Sequence, residues 1–172
     1  MKTIFIGGGT PSVLEPEQIT MLMQTLGRVF SIAEDAEITI EANPGTRLAS
    51  KLAVYRQAGI NRLSLGLQST SNEELKLLGR IHTFEDFLMS FQAARMAGFS
   101  NINVDLMSAI PGQSAESWRN TIRRIIMLKP EHISAYSLIL EEGTPFGDHY
   151  LPGEGEHKMR WKKTKKTGDP NY

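Results

Sequence analysis

Apolar and polar residues alternate sharply in three stretches of the chain. In "EITIE" (37–41), Ile38 and Ile40 share one face of an extended segment, and Glu37, Thr39 and Glu41 share the other. In "RLSLGLQ" (62–68), Leu63, Leu65 and Leu67 oppose Ser64, Gly66 and Gln68, and in "NINVDLM" (101–107), Ile102 and Val104 oppose Asn101, Asn103 and Asp105. Two further β-like runs, "KTIFI" (2–6) and "HISAYSL" (132–138), bracket these three. Between the runs the period lengthens to that of a helix. Glu17 to Phe30 places Ile19, Leu22, Met23, Leu26 and Phe30 on one face, and Leu48, Leu52 and Tyr55 do the same in the next segment. Phe84, Phe87, Leu88, Phe91 and Ala94 mark a third helix, and Trp118, Ile122, Ile125 and Ile126 a fourth. "AGI", "AGF" and "KP" punctuate the ends of the last three.

Strands that alternate with helices at roughly 30-residue spacing predict βαβ units and a parallel sheet. A strand sandwiched between two helical layers is apolar on both faces, whereas here three consecutive strands keep one polar face. That pattern predicts a sheet curved around space for a polar ligand. A flat doubly wound sheet would carry helices on that side, and a closed eight-stranded barrel would fill it with Val, Ile and Leu. The expected fold class is therefore α/β, a partial (β/α) TIM-like barrel of about five βα units, occupying residues 1–150. The remaining stretch, 151–172, joins glycine-rich loop chemistry to the basic run "HKMRWKKTKK" and reads as a solvated helix or frayed terminus rather than a nucleic-acid arm.

Composition narrows the classes without choosing among them. The chain has 172 residues, enough for a real core, and its 19 Lys and Arg balance 19 Asp and Glu, so the totals ask for neither nucleic acid nor a membrane surface. No apolar stretch approaches the ~20 residues of a membrane span, and the N-terminus has no secretory pattern, so the expected location is cytoplasmic. Cysteine is absent, which excludes disulfides and thiolate metal sites within this sequence.

Ligand sites of barrel-like sheets lie at the C-terminal ends of the strands. There the first strand delivers Gly7, Gly8, Gly9 and Thr10, the second Glu41 and "ANP", the third Gln68 and Ser69, and the fourth Asp105 followed by "AIPGQS". Arg80 follows the third strand on "LLGRIH". A glycine triplet alone signals only a tight strand-to-helix turn, with Ser12 near a helix start. Glu41, Gln68 and Asp105 on one concave face, beside glycine-exposed backbone and an arginine, point to a zwitterionic or hydroxyl-rich small molecule. Arginine forks onto a carboxylate, and carboxylates and amides accept from hydroxyls or an ammonium. No nucleophile–base pair, G-x-S-x-G elbow, Walker loop or metal-spaced histidine set occurs, and His82 and His132 read as structural or solvent-facing.

"IFIGGGTPSVL", "IEANPGT", "AGINRLSLGLQS", "LLGRIHT", "NVDLMSAIPGQS" and "ISAYSLILEEGTPF" together resemble the radical S-adenosylmethionine proteins of the oxygen-independent coproporphyrinogen III oxidase-like family, closest to its HemW-type heme chaperones. The resemblance covers about residues 1–150, in order. It implies a barrel lumen that holds S-adenosylmethionine above a [4Fe–4S] cluster, and it places the S-adenosylmethionine contacts on Gly8, Gly9, Thr10, Glu41, Gln68, Arg80 and Asp105. Arg80 would then meet the methionine carboxylate, while Glu41, Gln68 and Asp105 divide the ribose and ammonium contacts. The glycines would bring backbone up to the methionyl end.

Departures from the family bear on function. The family's Cys-x3-Cys-x2-Cys loop, which holds the cluster, would precede "TIFIGGG", and residues 151–172 resemble only the start of the segment after the barrel. The expectation is a fragment of a [4Fe–4S]-dependent protein of heme or porphyrin metabolism, truncated at both ends and lacking the barrel's first strand. It keeps most of the S-adenosylmethionine site, has no catalytic or metal-ligating residue of its own, and is inert as a free-standing catalyst. The alternative is a non-catalytic S-adenosylmethionine- or nucleoside-binding remnant, or a pseudogene product. Heme or a porphyrinogen is the partner implied for the full-length family, and the edge at "KTIFI" is expected to promote self-association.

Overall fold

Among the described residues, five strands form one parallel sheet in the sequential order β1 to β5, and that sheet does not close on itself. The computed structural model describes residues 1–141 and 145–150. The strands are β1 (Thr3–Ile6), β2 (Glu37–Ala42), β3 (Arg62–Gln68), β4 (Asn101–Ser108) and β5 (His132–Ser137). Helices separate them: α1 (Pro16–Val29), the short α2 (Thr46–Ala49) and α3 (Leu52–Gln57), α4 (Asn72–Leu77), α5 (Phe84–Met96) and α6 (Ala115–Met127). A helix α7 (Pro145–Tyr150) follows β5. The chain divides into two units, Met1–Leu138 and Ile139–Tyr172, and the sheet lies wholly in the first. The basic stretch 151–172, with His157, lies outside the described residues.

The partial TIM-like barrel read from the alternation is the observed architecture. Ile38, Ile40, Leu63, Leu65, Leu67, Ile102 and Val104 are all buried in one core with Ile19 of α1, Phe87 of α5 and Ile125 of α6. Two features escaped the periodicity. The segment through Leu48, Leu52 and Tyr55 is two short helices rather than one, although all three side chains are buried as the pattern requires. Helix α4 has only six residues and no room to show a period; its start is set by Ser71, whose hydroxyl accepts from the Glu74 N–H at 3.4 Å.

Parallel register also fixes what lies on the concave side. Gly66 pairs with Asp105, and Thr39, Ser64 and Asn103 are buried there although polar. Ser64 and Asn103 are satisfied together with Asp105: Asn103 Nδ2 donates to Ser64 Oγ and to Asp105 Oδ1, both at 2.8 Å, and Ser64 Oγ donates to Asp105 Oδ2 at 3.0 Å. The Asn103 amide oxygen accepts from Ser134 Oγ at 3.1 Å and from His132 Nδ1 at 2.6 Å.

The sheet's far end is tied by Glu131. Arg95 of α5 donates to both of its carboxylate oxygens, at 2.9 and 3.0 Å, and the Ile102 N–H at the start of β4 donates at 2.8 Å. Burial works to raise the Glu131 pKa, but the Arg95 and Ile102 hydrogen bonds outweigh it and the net shift is downward. A carboxyl whose folded pKa is depressed stabilises the fold above its unfolded pKa, and that contribution disappears as pH falls through the folded value. Glu131→Gln is therefore expected to be less stable than the parent at neutral pH, with the gap shrinking as pH falls through and below the ordinary carboxylate range, read by urea unfolding across that range.

Candidate functional site

The C-terminal ends of β1, β2, β3 and β4 converge on a cavity of about 210 Å³. Each of its walls is placed by a different local constraint. The loop after β1 needs its glycines for two reasons. A Cβ on Gly7 would collide with the Phe5 ring and lie 3.0 Å from Glu41 Oε2, whereas Gly8 and Gly9 take φ values of 85° and 64°, in the left-handed region. In that conformation the Gly8 N–H donates to Glu41 Oε2 at 3.1 Å. A 3-10 turn, Pro11–Val13, follows Thr10.

That turn is held from below by a buried cation. Lys51, only 7% exposed, donates from Nζ to the carbonyls of Ser12 (3.0 Å), Val13 (3.3 Å) and Leu14 (2.8 Å). Three carbonyl dipoles take the place of water around the ammonium, and no carboxylate is among its hydrogen-bonded partners. Asn43, just after β2, adds a second tie: its N–H donates to Ser12 Oγ and its Nδ2 to Thr10 Oγ1, both at 3.3 Å.

Gln68 ends β3 with φ 77°, where the pairing with β4 shifts register between Gly66 and Gln68. Its Oε1 accepts from the Tyr136 hydroxyl of β5 at 2.9 Å, a bond that spans from the sheet's margin to its middle strand. Burial pushes the Tyr136 phenol above its ordinary pKa; Asp105 and Glu41 add to the rise, and Gln68 and Arg80 oppose it. Arg80 arrives from α4 through a C-terminal turn in which Gly79 has φ 69° and the Arg80 N–H donates to the Leu75 carbonyl at 2.9 Å. Its guanidinium makes no hydrogen bond or ion pair among the described residues.

Of the residues expected from sequence, Gly9, Thr10, Glu41, Gln68, Arg80 and Asp105 line the cavity together. Gly8 does not line it and reaches it through the hydrogen bond to Glu41. Asn43, from the "ANP" that follows Glu41, lines it too, and so do Ser64, Gly66 and Tyr136, which are not among the candidate contacts read from the sequence. Ser64 and Gly66 share the alternating face of Gln68, and Tyr136 shares a face with His132 and Ser134, so the period-2 pattern contained all three. Gly66 is an opening in the wall: a Cβ there would stand 3.2 Å from Asn43 Oδ1 and 3.3 Å from Gln68 Nε2.

A larger opening, about 570 Å³, lies at the opposite strand ends and is lined by Glu37, Arg62, Ser100, Asn101, Glu131 and His132. Its charges are already engaged: Glu131 with Arg95, and Arg62 with Glu37 at 3.9 Å and with Thr39 Oγ1 at 3.3 Å. It has no glycine-exposed backbone, so the smaller cavity is the better ligand site. His82 is buried with Nε2 3.3 Å from the Leu67 carbonyl, and burial holds its pKa below the ordinary histidine value. Among the described residues no cluster of His, Asp and Glu is arranged to hold a metal.

Comparison with known proteins follows the same outline. A family model described as the Radical SAM superfamily matches residues 1–125. The heme chaperone HemW of Bacillus subtilis is 42% identical over 167 residues, which is 92% of this chain and 44% of that protein. The heme chaperone HemW of Escherichia coli is 45% identical over 147 residues, 86% of this chain and 39% of that protein. The chain thus spans less than half the length of these curated relatives. Among solved structures, the coproporphyrinogen III oxidase HemN of Escherichia coli, described as a radical SAM enzyme, superposes with a TM-score of 0.76 at 34% identity, over 82% of this chain and 32% of that one.

The Lys51 bonds make a direct claim about the loop. Lys51→Met keeps the stem's length and removes the ammonium, leaving three carbonyls without their donor. The expected cost is about 1–3 kcal/mol of unfolding free energy, with faster limited proteolysis at residues 10–14; unchanged stability and cleavage would show that the ammonium does not hold the turn.

Proposed function

We propose that this chain, which belongs to the radical SAM superfamily and is HemN/HemW-like within it, holds S-adenosylmethionine in the cavity lined by Gly9, Glu41, Gln68, Arg80 and Asp105. The observation that carries the reading is the charge arrangement. Two carboxylates and one guanidinium share a single small cavity, and the guanidinium has no hydrogen-bonded or ion-paired partner of its own among the described residues. S-adenosylmethionine carries an ammonium, a sulfonium and a carboxylate, so its net +1 complements a lining of net −1.

Residue by residue the donor and acceptor types also fit. Arg80 offers a planar fork to the methionine carboxylate. Glu41, Asp105 and Gln68 are acceptors for the ribose hydroxyls and the ammonium. Gly66 leaves the wall between Asn43 and Gln68 open for the ligand to approach backbone. Bound, the cofactor supplies radical chemistry on one-electron reduction. Cysteine is absent from the 172 residues, so a thiolate-held [4Fe–4S] cluster finds no ligand within this sequence. What these residues do by themselves is bind and orient.

For the protein as a whole, heme is the cargo we favour over oxidation of coproporphyrinogen III. The support is the higher identity to relatives named heme chaperones, 42 and 45%, against 34% for the solved oxidase. A cytoplasmic location goes with that reading.

Isothermal titration with S-adenosylmethionine and with its neutral thioether S-adenosylhomocysteine tests the site. The sulfonium form is expected to bind tighter. Arg80→Ala and Asp105→Asn should each weaken it about tenfold or more, roughly 1.4 kcal/mol, and Gly66→Ala should weaken it by narrowing the wall. Absence of binding by the parent at millimolar ligand would overturn the reading.

A further inference from the structure

Glu74 is buried in α4, lines neither cavity, and is bonded to no cation among the described residues. Its carboxylate instead collects three neutral donors from three separate segments. Ser69 Oγ, immediately after Gln68, donates to Oε2 at 2.6 Å; Gln113 Nε2, from the loop after β4, donates to the same oxygen at 2.9 Å; and the Ser117 hydroxyl of α6 donates to Oε1. The Ser71 N–H in turn donates to Ser69 Oγ at 3.0 Å. Burying a carboxylate is costly unless its oxygens are fully hydrogen-bonded, and these bonds meet that need only while the three segments stay in place.

From this geometry we infer that Glu74 is a positioning residue for the cavity's β3 side, setting both Gln68 and Arg80; the ligand part of the claim rests on the reading above. Helix α4 is one and a half turns long and cannot hold its own place by helical hydrogen bonds. Yet it joins the two residues in question: Gln68 lies just before it in the strained left-handed conformation, and Arg80 just after it, bonded through its N–H to the Leu75 carbonyl. The turn between Gln68 and α4 is pinned again from α6, where Arg124 Nη1 donates to the Thr70 carbonyl at 3.1 Å and the Thr70 N–H donates to Thr121 Oγ1 at 3.3 Å. Glu74 is the one member of this set that reaches the β3 turn, the β4 loop and α6 at once. Without its carboxylate, Ser69 loses the acceptor that holds the end of β3, and α4 loses its tie to α6.

Hydrogen exchange read by mass spectrometry on the parent, Glu74→Ala and Glu74→Gln tests the inference, with S-adenosylmethionine titrations alongside. Glu74→Ala should speed exchange at residues 66–70 and 79–82 while β1 and β2 keep their protection, and should weaken S-adenosylmethionine about tenfold. Glu74→Gln, which keeps the volume and one acceptor, should recover most of the protection. Faster exchange spread evenly over the chain, β1 and β2 included, would mean a general stabilising role and overturn the inference, as would unchanged exchange at 66–70 and 79–82. If Glu74→Ala does not fold, the same comparison is read from Ser69→Ala, which removes the hydroxyl that reaches Glu74 Oε2 and must then show faster exchange at 66–70 with β1 and β2 unchanged to support the inference. If the parent binds no S-adenosylmethionine, the ligand reading fails while the exchange pattern still decides the role of Glu74.

Discussion

A parallel sheet that packs helices on one face only must do something with the polar groups on the other. In this chain those groups are held by each other. Asn103 spends its amide on Ser64, Asp105, Ser134 and His132, and so converts four strand residues into one hydrogen-bonded layer. The cost of burying them is met within the layer, which leaves Asp105 fixed at the cavity's base. The leucine and isoleucine face opposite can then be wholly apolar, with Leu63, Leu65, Leu67 and Ile102 all fully buried. Site and core are two faces of the same strands.

The loops above that layer are steadied in a second way, by buried charges solvated with neutral groups. Lys51 gathers three carbonyls beneath the glycine loop, and Glu74 gathers two hydroxyls and an amide beside the end of β3. Neither forms an ion pair among the described residues, so each depends on several weak dipoles, Lys51 on three successive carbonyls and Glu74 on groups from three segments. Such arrangements resist rearrangement because losing any one segment exposes the charge. The lone arginine of the cavity has no such ring of partners: Arg80 follows the turn at Gly79, and its guanidinium makes no hydrogen bond or ion pair among the described residues.

Family membership and physical reading contribute different things. The superfamily match over residues 1–125 and the superposition on the coproporphyrinogen III oxidase establish the barrel type. The physical reading adds the cavity's charge balance, two carboxylates against one guanidinium. The chain spans 44% or less of the relatives described.

Much of this was legible in the sequence. Alternation in "EITIE", "RLSLGLQ" and "NINVD" determined which side chains enter the core and which face the concave side, because a strand's period of two leaves no other choice. It also brought Glu41, Gln68 and Asp105 to one face, and the same pattern in "HISAYS" held Tyr136 unread. What the pattern could not carry were contacts between segments far apart in the chain. Nothing local says that Lys51 lies under Ser12, that Ser117 and Gln113 meet Glu74, or that Tyr136 reaches Gln68 across 68 positions. Those pairings follow from how the helices settle on the sheet and how one residue in the left-handed conformation at Gln68 redirects a strand end. The sequence by itself determined the faces, and tertiary packing decided which groups on them meet.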